Sequence, residues 1–205
     1  MRADTISNPG EFGRNLTPLC IGDSVNTVLG SVDLDVASDP IANQGIKARR
    51  FYTKEDDGYT ASWVADNIFI NPPGKTVSKG KEVKAAQWVD KLWDCYKNGD
   101  FKEAIYLCYR GGSIGGVPYE MLSSDEVLIC LTCKGSQEAL NKDNQAISGS
   151  GRICFEKVDE EDNRVIQDKN TQSSMIVLLS AHPLTRFIFR REFRKYGAIL
   201  KSCYD

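Results

Sequence analysis

Apolar residues fall along this chain in short runs separated by polar stretches, and the runs carry two different periods. Asn67-Ile68-Phe69-Ile70, Ala104-Ile105-Tyr106-Leu107-Cys108, Val127-Leu128-Ile129-Cys130-Leu131 and Met175-Ile176-Val177-Leu178-Leu179 are nearly continuous apolar stretches, the pattern of strands buried on both faces. Ser31 to Ala37 predicts a shorter strand that ends in carboxylates, and Arg152-Ile153-Cys154-Phe155 predicts another. Val83, Ala86, Trp88, Val89, Leu92, Trp93 and Tyr96 recur at helical spacing and predict an amphipathic helix over 82–97, stopped by Asn98-Gly99-Asp100. Leu19, Val25, Val28 and Leu29 predict a buried stripe on a short helix. That helix would open at Thr17-Pro18, a capping hydroxyl before a proline at the first helical position, and close at Gly30. A further short helix is expected over 118–122. A closing helix is expected where Phe187, Phe189, Phe193 and Tyr196 alternate with Arg186, Arg190, Arg191, Arg194 and Lys195. Residues 39–63, the Lys/Gly/Ser stretch after Gly74, and 134–150 show no period and read as loops. Strands alternating with helices imply an α/β fold with a largely parallel sheet. The expected organisation is a mobile polar arm over 1–15 and one domain over 16–205.

Composition narrows the function classes. The 205 residues, 41% of them apolar and 26% charged, suit one globular domain. A formal net charge of −2 excludes a protein that coats nucleic acid through overall basicity, so any contact with DNA needs a local basic face. The first thirty residues lack a secretory pattern, and no apolar run approaches the roughly 20 residues of a bilayer span, so a cytoplasmic location away from membranes is expected. Seven scattered cysteines, an odd number, point to reduced thiols. Cys130 and Cys133 form a lone C-x-x-C beside an apolar strand, with no second pair to complete a metal site, and are expected as buried thiols rather than ligands.

The chemistry concentrates where the strand 67–70 runs into Asn71-Pro72-Pro73-Gly74. In open α/β sheets, ligands bind outside the carboxyl ends of strands. Two prolines there make a stiff backbone that offers carbonyl oxygens and no competing N–H, and the amide of Asn71 adds another acceptor. Two acceptors aimed at one amino group hold it, direct its lone pair toward an electrophile and stabilise the positive charge that develops on attack. The same tetrapeptide also suits an ordinary tight turn.

Asn-Pro-Pro after an apolar strand resembles the catalytic motif of amino-group methyltransferases acting on adenine, cytosine or glutamine. The segments around it narrow the resemblance. Thr17-Pro18 with the helix to Gly30, Asp33-Leu34-Asp35-Val36-Ala37-Ser38, Phe51-Tyr52-Thr53 through Glu55-Asp56-Asp57-Gly58, Trp63, Gly151 to Phe155 and Ser173 to Val177 are together similar to the phage-encoded DNA adenine-N6 methyltransferase family. The resemblance covers residues 16 to 198. It implies a Rossmann-like, S-adenosylmethionine-dependent fold that methylates an adenine flipped out of the duplex, and it implies a phage or prophage origin. Carried over by position, Asn71 and the Pro72 carbonyl accept from the target amino group, with Pro73 and Gly74 completing the catalytic turn. Asp35, and second Asp33, lie at the methyl donor, with Thr17 and Pro18 near its methionine end and Ala37 and Ser38 as further cofactor contacts. The sequence departs from the pattern twice. Gly74 stands where an aromatic residue usually stacks on the flipped base, leaving Phe51, Tyr52 or Tyr109 to supply that face, and no G-x-G loop follows the first acidic strand.

Lys75, Lys79, Lys81 and Lys84 follow the motif as candidate phosphate contacts or as ordinary solvated lysines, and Tyr52 is a candidate DNA contact. Gly111 to Gly116 lacks the Lys-Ser/Thr of a P-loop and reads as a loop. His182 precedes Pro183 and is expected at a helix start. Two alternatives stay open: an amino-group methyltransferase with a non-DNA substrate, and a non-catalytic DNA-binding module that keeps the fold.

Overall fold

The computed structural model describes residues 15–108, 117–140, 146–159, 164–166 and 174–201. Residues 1–14 of the arm expected over 1–15, Tyr109 and the Gly-rich stretch 111–116 lie outside the described residues. In chain order the first elements are α1 (Leu19–Leu29), β1 (Leu34–Asp35), α2 (Pro40–Ile46), β2 (Arg50–Phe51), β3 (Asn67–Ile70), β4 (Lys75–Ser78), β5 (Lys81–Lys84), α3 (Ala85–Asn98) and β6 (Glu103–Cys108). There follow α4 (Tyr119–Ser123), β7 (Val127–Thr132), α5 (Gln137–Leu140), β8 (Glu156–Val158), β9 (Arg164–Ile166), β10 (Met175–Ser180), α6 (Pro183–Phe193) and β11 (Gly197–Lys201).

Seven strands form the central sheet in the order β11-β7-β10-β6-β3-β1-β2. Between β2 and β6 every pairing is parallel, whereas β10 runs antiparallel to both β6 and β7, and β11 antiparallel to β7. The expected parallel sheet therefore holds for one half, and the other half is antiparallel. The pleat sorts side chains onto two faces. Phe69, Ile105, Leu107, Leu128, Cys130, Ile176 and Leu178 meet Ile21, Val25 and Val28 of α1 and Phe189 and Phe193 of α6. Ile68, Ile70, Ala104, Tyr106, Met175, Val177 and Leu179 meet Trp88, Val89, Leu92 and Trp93 of α3 and Met121 of α4. A hydrogen-bonded cluster locks α1 to the end of α6: Ser24 Oγ lies 2.8 Å from Tyr196 Oη and donates to Glu192 at 2.8 Å, and Tyr196 donates to Cys20 O at 3.0 Å. Burial pushes the Tyr196 hydroxyl far above its ordinary pKa, so it stays a neutral donor.

Several local expectations change. Residues 39–63 contain α2, where Asp39 Oδ1 accepts from Ile41 N at 2.9 Å and Ala42 N at 2.7 Å ahead of Pro40; this seven-residue helix is too short to show a period. The Lys/Gly/Ser stretch is the β4–β5 hairpin, closed by Lys79 and Gly80 at φ 47° and 75°, the left-handed pair a tight hairpin turn needs. That hairpin takes residues 82–84 from the expected helix, so α3 starts at Ala85. Helix α1 begins at Leu19 without a side-chain cap from Pro18, and Leu19 is 45% exposed. Its buried stripe is Ile21, Val25, Val28 and Leu29. Residues 152–155 form only an isolated bridge between Ile153 and Ile147. The chain after α6 adds β11, a strand the helical reading of the tail missed.

The loop 53–63 is tied down over β1 and β2. Trp63 is buried, donates from Nε1 to Gly58 O at 2.8 Å and stacks on Trp88 with centroids 6.0 Å apart. Lys91 of α3 donates to Tyr59 O and Ala61 O, each at 2.6 Å, and sits 4.4 Å over the Trp63 ring. Gly58 touches the backbone of β1 so closely that a Cβ on it would lie 1.9 Å from Val36 O. Gly58→Ala must push the loop off the strand end. Thermal unfolding should show a loss of about 1–3 kcal/mol, the usual cost of overpacking; an unchanged melting temperature would contradict this packing.

Candidate active site

The connections out of β1 and β3 leave in opposite directions. From β1 the chain passes through α2 to β2 on one side, and from β3 it passes through α3 to β6 on the other. Since α2 packs with α1 on one face and α3 covers the other, neither of these two helical crossovers passes over the carboxyl ends of the pair. This is the strand-order reversal at which open α/β sheets form their ligand crevice. Asp35 to Ser38 and Asn71-Pro72 flank it side by side, with Val36 N donating to Phe69 O at 3.2 Å.

Asn71 is the residue best placed for chemistry. Its Nδ2 donates to Asn15 O at 3.3 Å and to Thr17 Oγ1 at 3.1 Å. Both amide protons are thereby committed, the side chain is oriented, and Oδ1 is left as an acceptor with no partner among the described residues. The buried Pro72 carbonyl likewise accepts from none of them. Pro73 is exposed and Gly74 half-buried at the mouth of the crevice. Thr17 is itself buried, and its hydroxyl serves Asn71 rather than capping α1. Asn15 lay inside the expected mobile arm, and no sequence signal marked its carbonyl as a partner.

On the β1 side, Asp35 is a carboxylate only 2% exposed, accepting from Ala37 N at 3.2 Å. Ser38 is buried beside it; its backbone N–H bonds Tyr52 O at 2.8 Å, and its Oγ has no hydrogen-bond partner among the described residues. An orphaned buried hydroxyl is costly unless something completes it. Asp33 sits at the opposite end of β1, where its carboxylate accepts from Asn67 N at 2.9 Å and pairs with Arg49 at 3.0 Å. The structure thus does not bring Asp33 to the crevice with Asp35. Tyr52 donates its hydroxyl to Ser62 O at 2.7 Å and packs into the core under the loop.

The β4–β5 hairpin continues from Gly74, with Lys79, Lys81 and Lys84 exposed. Ser78 donates to Asp57 at 2.6 Å, joining the hairpin to the acidic loop and holding the Asp57 carboxyl below its ordinary pKa. Cys130 is buried, which pushes its thiol up to about 12, and no cluster suited to a metal exists among the described residues. No helix among them is long and apolar enough to cross a membrane.

A mixed α/β sheet with helices on both faces, a strand-order reversal and a buried carboxylate beside Asn-Pro-Pro is consistent with a methyltransferase fold. The chain belongs to the DNA N-6-adenine-methyltransferase (Dam) family, whose model matches residues 14–197. No curated protein and no solved structure matches it.

Asp33→Ala separates structural from ligand-binding carboxylates. Removing a partly buried acceptor from Asn67 N should lower stability by about 1–3 kcal/mol in thermal unfolding. S-adenosylmethionine affinity by calorimetry should stay unchanged, and a matching loss of affinity would put Asp33 in the crevice.

Proposed function

We propose that this chain is an S-adenosylmethionine-dependent enzyme that methylates the N6 amino group of an adenine extruded from DNA. One observation carries the reading. The side chain of Asn71 has both donors tied to Asn15 O and Thr17 Oγ1, so its free oxygen and the Pro72 carbonyl form a pair of acceptors at the crevice. An exocyclic amino group has two protons to give to such a pair. Holding both protons turns the nitrogen lone pair out of the plane of the base and stabilises the charge that grows on nitrogen. Neither acceptor has to reorganise, because Asn71 is already clamped and Pro72 has a fixed φ.

S-adenosylmethionine would supply an electrophilic methyl group beside this pair. The residues on the β1 side suit it: the Asp35 carboxylate is an acceptor for hydroxyl or ammonium donors, and the orphaned Ser38 Oγ lacks a partner that a polar ligand would provide. Ala37 and the Thr17-Pro18 segment line the same crevice. A target base reaches this depth only outside the helical stack. Lys79, Lys81 and Lys84, exposed on the hairpin, supply the local positive charge that a chain of net charge −2 requires for DNA contact. Family membership favours adenine in DNA over a protein substrate.

Two measurements test the proposal. Unmethylated DNA incubated with protein and S-adenosylmethionine should yield N6-methyladenine by nucleoside mass spectrometry, and Asn71→Ala should lower the rate at least about a hundredfold, the scale of losing one preorganised transition-state contact. Cofactor binding without product on DNA of varied sequence would point to another amino substrate, and neither binding nor product would leave a binding module. Separately, Lys79→Ala and Lys81→Ala should each weaken DNA binding similarly for all sequences and reduce the salt slope by about one. Titration against salt reads this directly, and an unchanged slope removes these lysines from the interface.

A further inference from the structure

The hairpin β8–β9 is remote in sequence from Asn-Pro-Pro, yet two of its charged residues, Glu156 and Arg164, converge on the segment that holds Asn71. Arg164 uses all three of its nitrogens on three different elements. Nε donates to Glu156 Oε2 at 2.6 Å, Nη1 to Ile41 O in the first turn of α2 at 3.0 Å, and Nη2 to Thr17 O at 2.7 Å. Glu156 divides its carboxylate in the same way: Oε2 faces Arg164, while Oε1 accepts from Leu19 N, the first residue of α1, at 3.2 Å. Its backbone pairs with Leu16 in both directions, at 2.7 and 3.0 Å. The two side chains are only 10% and 14% exposed.

Thr17 is thus fixed at its own carbonyl by Arg164 and at Leu16 and Leu19 by Glu156. Its hydroxyl oxygen then accepts from Asn71 Nδ2 at 3.1 Å. A buried ion pair is a poor device for stability alone, because apolar packing of the same volume does as well. What the planar guanidinium provides is three bonds in fixed directions, and here they set the place of one hydroxyl oxygen.

We infer that Arg164, braced by Glu156, is a positioning residue for the methyl-transfer step: it fixes Thr17, whose hydroxyl orients the Asn71 amide so that Oδ1 faces the target amino group. The inference rests on the catalytic role proposed for Asn71. Arg164 touches neither substrate nor cofactor. It acts through geometry, and its loss should appear in turnover rather than in binding.

The test is a kinetic cycle on the full chain, run well below the melting temperature of every variant. Arg164→Lys keeps a charge beside Glu156 but loses the fork that reaches Thr17 O and Ile41 O. It should lower kcat about tenfold, the worth of one hydrogen bond to a charged donor. KM for DNA and for S-adenosylmethionine should stay within about twofold, the pattern of an interaction that matters only in the transition state. Thr17→Val, which removes the hydroxyl, should show the same loss, and Thr17→Ser should restore most of it. Because both changes cut one chain of contacts, Arg164→Lys combined with Thr17→Val should fall no more than about twofold below Thr17→Val alone. Full turnover in Arg164→Lys, or losses that multiply to about a hundredfold, overturns the inference. If Arg164→Lys does not fold, Glu156→Gln takes its place under the same criteria. Asn71→Ala keeps the two levels apart. An active Asn71→Ala overturns the catalytic reading itself, whereas an inactive one beside a fully active Arg164→Lys overturns only the clamp.

Discussion

Two neighbouring parallel strands whose connections leave in opposite directions cannot have their carboxyl ends covered by their own crossovers. That constraint governs this molecule. The reversal between β1 and β3 places Asp35, Ala37 and Ser38 against Asn71 and Pro72, and everything nearby closes the opening from outside or braces its rim. The segment leading into α1 reaches it with Thr17 from one face. The loop 53–63 packs on β1 through Gly58 and is stapled by Lys91 and Trp63. The hairpin after Gly74 projects from its edge. A site built this way is preorganised by the sheet, and small backbone shifts in a two-residue strand are resisted by neighbours on both sides.

The polar interior follows the same economy. Buried polar groups are paired in the Ser24–Tyr196–Glu192 cluster and the Glu156–Arg164 pair, whereas Trp88 Nε1, Ser174 Oγ and Ser38 Oγ find no partner among the described residues. At the crevice, Asn71 commits its donors and keeps its oxygen, and Ser38 keeps its hydroxyl unpaired. Unsatisfied polar atoms are expensive in a folded interior, and of the three without a partner Ser38 Oγ is the one that lies beside the strand-order reversal, next to Asp35.

The sequence made the long buried strands and α3 legible, because β6, β7 and β10 are apolar on both faces and α3 is long enough to show its period. It also marked Asn71-Pro72-Pro73 as the candidate chemical centre, since a strand running into prolines is visible without coordinates. It hid what depends on contacts between distant segments. Thr17-Pro18 and Asp39-Pro40 look alike as helix starts, yet Asp39 caps its helix while the Thr17 hydroxyl goes to Asn71 and Glu156 takes over at Leu19 N. Asp33 and Asp35 are two residues apart and chemically identical, but lie at opposite ends of a strand too short to register as a pattern. Strand β11 escaped notice because its pairing with β7 depends on Gly197, where a Cβ would meet Leu131 O at 1.9 Å, a close approach that only the partner strand reveals.

The place of β10 in the sheet bears on how the molecule is made. It lies between β6 and β7 although it is encoded well after both, so during synthesis the first half of the sheet has an open edge at β6, and β7 has nothing to pair with. The antiparallel half cannot assemble strand by strand as it emerges from the ribosome; β7, β10 and β11 join only once residues 175–201 are available. Until then an apolar strand edge is bare to solvent and to neighbouring chains. A nascent or truncated chain is therefore most exposed to misassociation at the one edge that the finished protein covers most completely.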